Sequence, residues 1–187
     1  MNTFLELAAG RQSDRQFDPD RRVEPEKLAR IIEAARLAPS ACNSQPWHFV
    51  VVDDAGVKNR VADAAANKVL GMNHFTKQAP VHILIVEESG NFTSTVGGWV
   101  KHKHFPHFDI GIAAAHIALA AADEGLGSCI VGWFDEKAVS KVLGIPAGKR
   151  VLLDIVLGYS ADPMREKRRK PLSETVSRNI YSTPFEE

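Results

Sequence analysis

The sequence predicts a single domain that mixes α-helices with β-strands. Its 187 residues suit one domain whose core is large enough to fold without disulfides or structural metals. Short runs of β-branched and aromatic residues alternate with segments of helical apolar spacing. One helical segment, residues 110–124, is apolar all round. Such a helix is typically buried on every side or shared with a second subunit.

Composition and charge exclude several classes of partner. Basic and acidic residues number 23 each, so no overall field favours nucleic acid or an anionic membrane. Cys42 and Cys129 are too few for a disulfide framework, and we expect both thiols to be buried in a protein of the reducing cytoplasm. The first residues lack the pattern of a secretion signal, and no apolar run approaches the roughly 20 residues of a membrane span. We therefore predict a cytoplasmic protein that binds neither nucleic acid nor membrane.

Helices are predicted from apolar spacing and from the residues that begin or end them. They cover residues 3–9, 25–37, 54–70, 110–124 and 135–143. Gly10 ends the first, Pro25 is a favoured first residue of the second, and Asp54 is a good cap for the third. The buried face of the second helix comprises Leu28, Ile31, Ile32, Ala35 and Leu37. His116 is predicted to be a satisfied histidine of the core.

The predicted strands are Trp47–Val52, Val81–Glu87, Ser128–Val131 and Arg150–Leu157. Gly125 and Gly127 form a Gly-x-Gly pattern between a helix and a strand. A Rossmann fingerprint instead follows a strand, opens a helix and contains a third glycine. Any nicotinamide cofactor is therefore not held by a Rossmann unit. Gly132 is predicted to lie where backbone must approach another group closely.

The most distinctive stretch, residues 37–52, reads LAPSACNSQPWHFVVV. Pro39 ends the preceding helix and Pro46 fixes the start of the strand. The hydrogen-bonding side chains between these prolines are Ser40, Asn43, Ser44 and Gln45. Side chains held between two rigid points suit recognition of a polar, planar ligand. A turn in which serine and asparagine satisfy their own backbone is an equal alternative.

Cations are concentrated in two segments that are distant in the sequence. Arg11, Ser13 and Arg15 occupy alternate positions of a loop and are spaced to converge on a phosphate. A solvated loop is the alternative. The basic run from Arg165 to Lys170 lies in a polar arm, residues 159–187, that has no apolar periodicity. This run is interpreted as a nucleic-acid patch, as a phosphate clamp that works with Arg11, or as a solvated tail.

The region 89–108 contains a histidine cluster, which comprises His102, His104 and His107. No acidic residue or cysteine is spaced in this region to complete a metal site, so we predict no metal. A lid or substrate-lining loop is favoured, because the region supplies aromatic surface from Trp99, Phe105 and Phe108.

Taken together, these stretches resemble the nitroreductase family of FMN-dependent oxidoreductases. The resemblance rests on RQSDRQF, APSACNSQPWHFVVV, the apolar helix that leads into GLGSCIVGWFDEKAVSKVLGIP, and KRRKPL, all in the family's order. It implies an α+β, nitroreductase-like fold with a mainly antiparallel central sheet flanked by helices. It also implies an intertwined homodimer with FMN at the interface. Residues 1–187 would form one domain, and residues 159–187 a C-terminal arm that wraps the partner subunit.

The resemblance also assigns cofactor-binding residues. Arg11, Ser13 and Arg15 match the loop that holds the FMN phosphate and ribityl chain, whereas Lys167 and Arg169 match a basic pair that closes on the phosphate. The segment that reaches FMN from the other subunit is matched by Pro39, Ser40, Ala41, Asn43 and Gln45. The residues that match positions around the flavin ring are Val131 and Gly132, near N5, and Asn73 and Lys77, at the pyrimidine edge. A surface turn is an equal interpretation of the last pair.

The implied activity is that of an enzyme. NAD(P)H reduces bound FMN by hydride transfer to N5, and a small electron-poor acceptor (nitroaromatic, quinone or flavin) then takes the electrons at the same face. This order predicts ping-pong kinetics and requires no catalytic protein residue. Alternatives are an O₂-activating flavin enzyme of the same fold and a non-catalytic flavin- or metal-binding protein. The sequence identifies neither the physiological acceptor nor the preferred nicotinamide cofactor.

Overall fold

A sheet of antiparallel strands forms the centre of the computed structural model, which describes residues 3–66, 71–89 and 104–185. The strands are β1 Trp47–Val52, β2 Val81–Glu87, β3 Gly127–Val131 and β4 Arg150–Gly158. Their order across the sheet is β1-β2-β4-β3, and each neighbouring pair is antiparallel. Helices surround this sheet, so the predicted α+β fold with a mainly antiparallel sheet is confirmed.

The described helices begin and end largely at the residues expected to cap them. They are α1 Phe4–Gly10, α2 Pro25–Arg36, α3 Ala55–Ala65, α4 Phe105–Asp123, α5 Glu136–Leu143 and α6 Leu172–Thr175, with short 3₁₀ turns at Ala41–Asn43 and His74–Gln78. The Asp54 carboxylate accepts hydrogen bonds from the first N–H groups of α3. Asp135 does the same for α5, which ends at Gly144 with a left-handed φ of 66°.

The two faces of the sheet carry separate layers of helices. Ile83 and Ile85 of β2 pack in one core cluster with α2 and α4. Leu84 and Val86 point to the opposite face and pack in a second cluster with α3 and α5. Because successive side chains of a strand alternate between faces, a strand covered on both faces must be apolar at every position. This explains the nearly unbroken apolar run of β2.

Several predicted boundaries and exposures are wrong for local reasons. Helix α3 ends at Ala65 and Ala66 is its C-cap, whereas the sequence predicted a helix to Leu70. The helix α4 begins at Phe105 because a proline in the first turn, Pro106, does not interrupt a helix. Leu37 follows the last helical residue of α2 and is 64% exposed instead of buried. Strand β1 is half-buried because it lies at an edge of the sheet.

The long helix α4 is apolar enough, by length and composition alone, to cross a membrane, contrary to the sequence prediction. Ile110, Ala113 and Ile117 of this helix are instead buried in the core cluster against the sheet and α2. A core helix of this kind satisfies the same criterion in soluble proteins. Phe108 and Ile112 are exposed, so among the described residues the helix is buried on one side only.

His116 of α4 is half-buried, so its assignment to the core is wrong. Its Nδ1 donates a hydrogen bond to the carbonyl of Ile112 at 2.9 Å, and the imidazole is therefore satisfied within its own helix.

Over its described residues, 159–185, the C-terminal arm contains no buried residue and therefore no apolar core of its own. Helix α6 contains no buried residue, and the side chains of Ile180 and Tyr181 are 72% and 94% exposed. A bridge between Ser177 and Pro184 folds the end of the arm back on itself. The arrangement of this arm against a partner subunit stays a prediction.

Candidate functional site

Asp14 fixes the loop of residues 11–15 against the start of β3. Its carboxylate accepts hydrogen bonds from the N–H of Ser128 at 3.2 Å and from the hydroxyl of Ser160 at 2.6 Å. The Gln12 amide donates to the same carboxylate at 2.9 Å. Asp14 is only 3% exposed. A buried carboxylate with three donors holds the loop in one position, because releasing it would break three hydrogen bonds and leave the buried N–H of Ser128 without this acceptor.

The Gly-x-Gly pattern serves this same junction. Gly125 ends α4 with a left-handed φ of 73°, a conformation that glycine adopts at little cost. A Cβ atom on Gly127 would lie 2.8 Å from both Asp14 Oδ2 and Ser160 Cβ. Only glycine therefore allows the 11–15 loop to approach β3 this closely. Both glycines are accounted for by the packing of the chain, which agrees with the exclusion of a Rossmann unit.

The basic run after β4 lies along the 11–15 loop. The Lys167 ammonium donates a hydrogen bond to the carbonyl of Arg11, and the Arg165 guanidinium donates to the carbonyl of Ser13. The N–H of Arg165 also donates to the side-chain oxygen of Gln12 at 3.0 Å. Two segments about 150 residues apart in the sequence are thus joined through backbone and side chain.

Asp162 holds the other end of the loop. Its carboxylate accepts hydrogen bonds from the N–H of Arg15 at 2.5 Å and from the N–H of Gln16 at 3.3 Å. The Arg165 guanidinium lies 3.9 Å from the same carboxylate. Asp162 therefore connects the loop backbone to the basic run.

These contacts border an open cavity of about 580 Å³ that is rich in cations. It is lined by Arg11, Gln12, Ser13, Arg165, Glu166, Lys167, Arg168 and Arg169. Partial burial, followed by the charges of Arg11 and Arg169, lowers the pKa of Lys167 below its ordinary value. Cations that disfavour each other's charge would be stabilised by a bound anion. The cavity therefore fits a phosphate group.

Arg15 does not line this cavity and extends along a neighbouring surface. Its guanidinium carbon lies 6.0 Å from the centre of the Phe75 ring in the 3₁₀ turn His74–Gln78. Burial raises the pKa of the nearby Cys129 thiol, and the charge of Arg15 opposes this shift only in part. Cys129 is therefore the buried, apolar thiol that the sequence predicts, whereas Cys42 is exposed, contrary to the prediction.

The segment of residues 39–45 adopts an unusual backbone. Cys42, Asn43 and Gln45 all have positive φ angles, of 53°, 51° and 47°. Residues other than glycine rarely adopt this conformation, and such strain is concentrated at ligand clamps and active sites. The Ser40 hydroxyl accepts a hydrogen bond from the N–H of Gln45 at 2.9 Å. Ser40 thus makes the turn that the sequence suggested, while the Asn43 side chain is exposed to solvent.

Asp109 anchors this strained segment to the first turns of α4. Its Oδ1 accepts a hydrogen bond from the N–H of Ala41 at 3.1 Å. Asp109 is 4% exposed, and its Oδ2 has no hydrogen-bond partner in the part of the chain that the structure describes. A buried carboxylate that keeps one oxygen unpaired is costly, so its position beside the segment indicates a functional constraint.

Asn73 and Gly132 are brought together although they are distant in the sequence. The Asn73 amide donates hydrogen bonds to the carbonyl of Trp133 at 2.7 Å and to the carbonyl of Ala65 at 3.2 Å. Gly132 follows the buried end of β3, Val131, and is itself exposed. A Cβ atom there would meet the Leu153 side chain only at an ordinary distance of 3.5 Å. Packing among the described residues therefore does not require this glycine.

Lys77 lies in the same turn and forms an exposed ion pair with Asp63 at 2.8 Å. Its carbonyl accepts a hydrogen bond from the Lys58 ammonium at 2.6 Å. The side chains of Asn73 and Lys77 thus both make contacts within the chain, as expected of the surface turn considered from the sequence.

The sequence model of the nitroreductase family matches residues 8–159, which is most of the chain. The chain belongs to the nitroreductase family. A Bacillus subtilis relative, named provisionally as an NAD(P)H nitroreductase, is 40% identical over 91% of this chain and 95% of its own length. The oxygen-insensitive NADPH nitroreductase of Helicobacter pylori strain 26695 is 27% identical over 92% of this chain and 94% of its own length.

Solved structures of other nitroreductases have the same fold. A nitroreductase family protein from Streptococcus pneumoniae gives a TM-score of 0.78 at 27% identity, covering 95% of this chain and 100% of that chain. An FMN-dependent nitroreductase from Clostridium difficile gives 0.76 at 28% identity, with the same coverages of 95% and 100%. The family resemblance inferred from the motifs is therefore confirmed.

Sequence reasoning found the cations of the site but not the carboxylates that position them. Asp14 accepts the N–H of Ser128 in β3, whereas Asp109 and Asp162 accept backbone N–H groups of the segments 39–45 and 11–15. Asp14 had one local signal, since an acidic residue between two arginines is out of place in an anion-binding loop. The other two carboxylates had no signal, because their partners are distant in the sequence.

Proposed function

We propose that this nitroreductase is a homodimeric, FMN-dependent enzyme that uses NAD(P)H to reduce small electron-poor acceptors. The observation that carries this proposal is the convergence of the 11–15 loop and the basic run on one cationic cavity. At the level of the family, the predictions of an NAD(P)H-dependent oxidoreductase and of FMN as its cofactor are confirmed by the relatives described above.

The phosphate of FMN is assigned to the cationic cavity. Arg11, Lys167 and Arg169 contribute charge, and Ser13 lines the same space. Guanidinium and ammonium groups form strong, charge-assisted hydrogen bonds with phosphate oxygens. The backbone contacts of Asp14 and Asp162 keep the loop in place before the anion binds, which lowers the ordering cost of binding. Arg15, directed towards Phe75, is assigned to the part of the cofactor beyond the phosphate.

The flavin ring is assigned to the surface between the end of β3 and the 3₁₀ turn His74–Gln78. Val131 and Gly132 offer backbone at this surface, and an exposed glycine permits a flat ring to approach closely. Asn73 and Lys77 border the same surface. Because the Asn73 amide bonds the carbonyl of Trp133, its role includes holding the Gly132 turn in position.

The second wall of the site is assigned to the partner subunit. Pro39, Ser40, Ala41, Asn43 and Gln45 form the strained segment described above, and they do not line the cationic cavity of their own chain. Strain at these residues is explained if they meet the cofactor of the other protomer. In this dimer the partner subunit would cover the exposed side of α4, with Phe108 and Ile112, and the C-terminal arm.

When bound, FMN would supply two-electron transfer from NAD(P)H to an electron-poor acceptor. The protein contributes position and electrostatics. Lys77 and backbone N–H groups near the pyrimidine edge would stabilise negative charge that develops on the reduced flavin. Among the described residues no nucleophile or acid–base pair is assigned a catalytic role. The flavin ring would keep one face open to solvent beside the exposed Gly132 turn. Donor and acceptor would then bind at this face one after the other, which gives ping-pong kinetics.

The acceptor class proposed is nitroaromatics, quinones or free flavins, and the compartment proposed is the cytoplasm. A parallel-line pattern of initial rates, at several fixed acceptor concentrations and varied NADPH, would support the ping-pong order. Product analysis under air and under argon distinguishes this function from O₂ activation, because only the latter yields oxygen-dependent products.

Removal of single cations tests the phosphate assignment. We expect Arg11→Ala and Arg169→Ala each to lower FMN affinity by about 10- to 100-fold, since a charge-assisted hydrogen bond contributes roughly 1.5–3 kcal/mol. Flavin absorbance per protomer after gel filtration measures the loss. Arg22→Ala removes an exposed arginine that does not line the cavity and is the matched control. Unchanged FMN retention in both cavity variants would contradict the assignment.

A further inference from the structure

Glu87, His104 and His107 form a compact cluster outside the proposed flavin site. Glu87 is the last residue of β2, His104 caps the start of α4, and His107 lies in the first turn of α4. The Glu87 side chain is 15% exposed, whereas those of His104 and His107 are 56% and 52% exposed. No carboxylate in the region 89–108 completes a metal site. Glu87 supplies one from the end of β2, 17 residues before His104.

The ligand atoms of this cluster already face one another. Glu87 Oε1 contacts His104 Nε2, and Glu87 Oε2 lies 3.8 Å from His107 Nε2. One nitrogen or oxygen atom of each side chain lies within 4.8 Å of the others. Ligand atoms around a tetrahedral zinc ion are roughly 3.3 Å apart, because each bond is about 2.0–2.1 Å long. Small side-chain rotations would therefore bring all three atoms to one cation.

Helix stability does not explain histidines at this place. The side chain of His104, at the N-cap position, makes no capping hydrogen bond to the start of α4. Both rings are also largely exposed, so they contribute little to the core. Two histidines and one carboxylate are, by contrast, a common ligand set for first-row divalent metals, and they leave positions open for water or an anion. The N-terminal end of a helix favours an anion at such a position.

We propose that Glu87, His104 and His107 bind one divalent transition-metal ion, of which Zn²⁺ is the representative, and that the ion clamps the start of α4 to the sheet. Glu87 pairs with Trp47 in the sheet, and the carbonyl of Pro46 accepts the N–H of Glu88 at 3.1 Å. Two residues beyond His107, Asp109 holds the strained segment at Ala41. A bound ion would therefore rigidify both attachments of residues 39–46. This metal site is independent of the proposed function.

Calorimetric titration tests the site on the full-length, FMN-loaded protein, prepared without a polyhistidine tag and washed with EDTA. With ZnCl₂ as the probe, we expect one Zn²⁺ per chain with a Kd on the order of micromolar, weaker than four-ligand structural sites. At a hundredfold excess over Kd, the melting temperature should rise by about 5–10 °C. Glu87→Gln and His107→Ala should each weaken binding at least about tenfold and remove most of the thermal shift.

His74→Ala is the matched control, because His74 is exposed and lies outside the cluster. Circular dichroism and flavin content distinguish loss of the metal from loss of the fold in every variant. Absence of zinc binding would overturn the proposal. Binding of equal affinity in the wild type, Glu87→Gln and His107→Ala would show adventitious zinc only, and would also overturn it. Neither result would contradict the proposed FMN site, which is argued from other residues.

Discussion

Lys167 lies among like charges at the edge of the 11–15 loop. Partial burial and the neighbouring Arg11 and Arg169 lower its pKa, whereas Asp14 opposes the shift. An isolated lysine keeps its proton well above neutral pH. Lys167 therefore loses its proton at a lower pH than an ordinary lysine unless an anion is bound beside it.

This arrangement predicts that FMN affinity falls at alkaline pH. A bound phosphate raises the pKa of Lys167, so binding takes up a proton between the lowered pKa of the free protein and the higher pKa of the complex. Affinity is then full below this interval and falls by at most about tenfold per pH unit within it. Fluorescence titration of the FMN-free protein, from neutral pH to the ordinary lysine range, measures the effect.

Lys167→Arg is the matched variant, because a guanidinium stays charged throughout this range. Its FMN affinity should be nearly independent of pH over the same interval. An equal alkaline decline in the wild type and in Lys167→Arg would assign the decline to another group.

The candidate site could be predicted from the sequence in part. The spacing of Arg11 and Ser13 suggested a phosphate-binding loop, and the family resemblance favoured this interpretation and added Lys167 and Arg169. The joining of the two segments at one cavity follows from hydrogen bonds such as that between Lys167 and the Arg11 carbonyl. Contacts of this kind depend on the three-dimensional path of the chain. No local pattern encodes them.

A buried histidine–aspartate pair connects strands β2 and β4. His82 Nδ1 lies 2.9 Å from Asp154 Oδ2, and both side chains are fully buried. His82 Nε2 lies 3.1 Å from the carbonyl of Thr76 and must donate to it, since a carbonyl only accepts. The pair thus attaches the 3₁₀ turn His74–Gln78, which borders the proposed flavin surface, to the sheet.

Breaking this pair should destabilise the fold strongly. We expect Asp154→Ala to lower the free energy of unfolding by about 3–5 kcal/mol, because it leaves the buried imidazole without its partner. The double variant His82→Leu/Asp154→Leu should lower the free energy of unfolding clearly less than the sum of the effects of His82→Leu and Asp154→Leu. In the double variant both partners are apolar, so neither is left unpaired. Urea denaturation measures these values.

His74→Leu, at an exposed position of the same turn, should change the free energy of unfolding by no more than about 0.5 kcal/mol. Additive costs for the changes at His82 and Asp154 would show that the pair is not a coupled unit.

The elements themselves were predicted unevenly. The bounds of β1 and β2 agree with the sequence prediction, because both runs are uniform and lie between clear breaking residues. The pairing of His82 was not predicted. Its apolar neighbours indicate a buried strand, but its partner Asp154 lies 72 residues away in the sequence. The predicted helix began at residue 110, whereas α4 begins at Phe105, since proline is tolerated in a first helical turn.

Helix α4 and the C-terminal arm are among the parts of the surface that carry exposed apolar side chains. Phe108 is 58% exposed and Ile112 is 37% exposed, and both lie on the side of α4 that faces away from the sheet. Ile180 and Tyr181 of the arm are more exposed still. Exposed apolar side chains of this kind occur at interaction sites. A second copy of the chain is the proposed occupant, because it would also supply residues 39–45 to the flavin site.

Ile112→Arg tests whether this surface holds the dimer together. The wild type should have twice the 20.5 kDa mass of one chain, measured by light scattering after gel filtration. The variant should be largely monomeric, because a buried arginine without a partner costs several kcal/mol in an apolar interface. FMN should be lost together with the partner, since each proposed site contains residues 39–45 of the other chain.

Two further variants separate the interface from other effects of the substitution. Ile112→Val keeps the surface apolar, and Ala147→Arg adds a cation at an exposed turn away from α4; both should stay dimeric and keep FMN. A folded Ile112→Arg monomer with full flavin content would contradict the shared site, because one chain would then suffice to hold the cofactor. A dimer of unchanged mass and stability would instead place the interface on another surface, since an arginine at a buried apolar contact cannot be neutral.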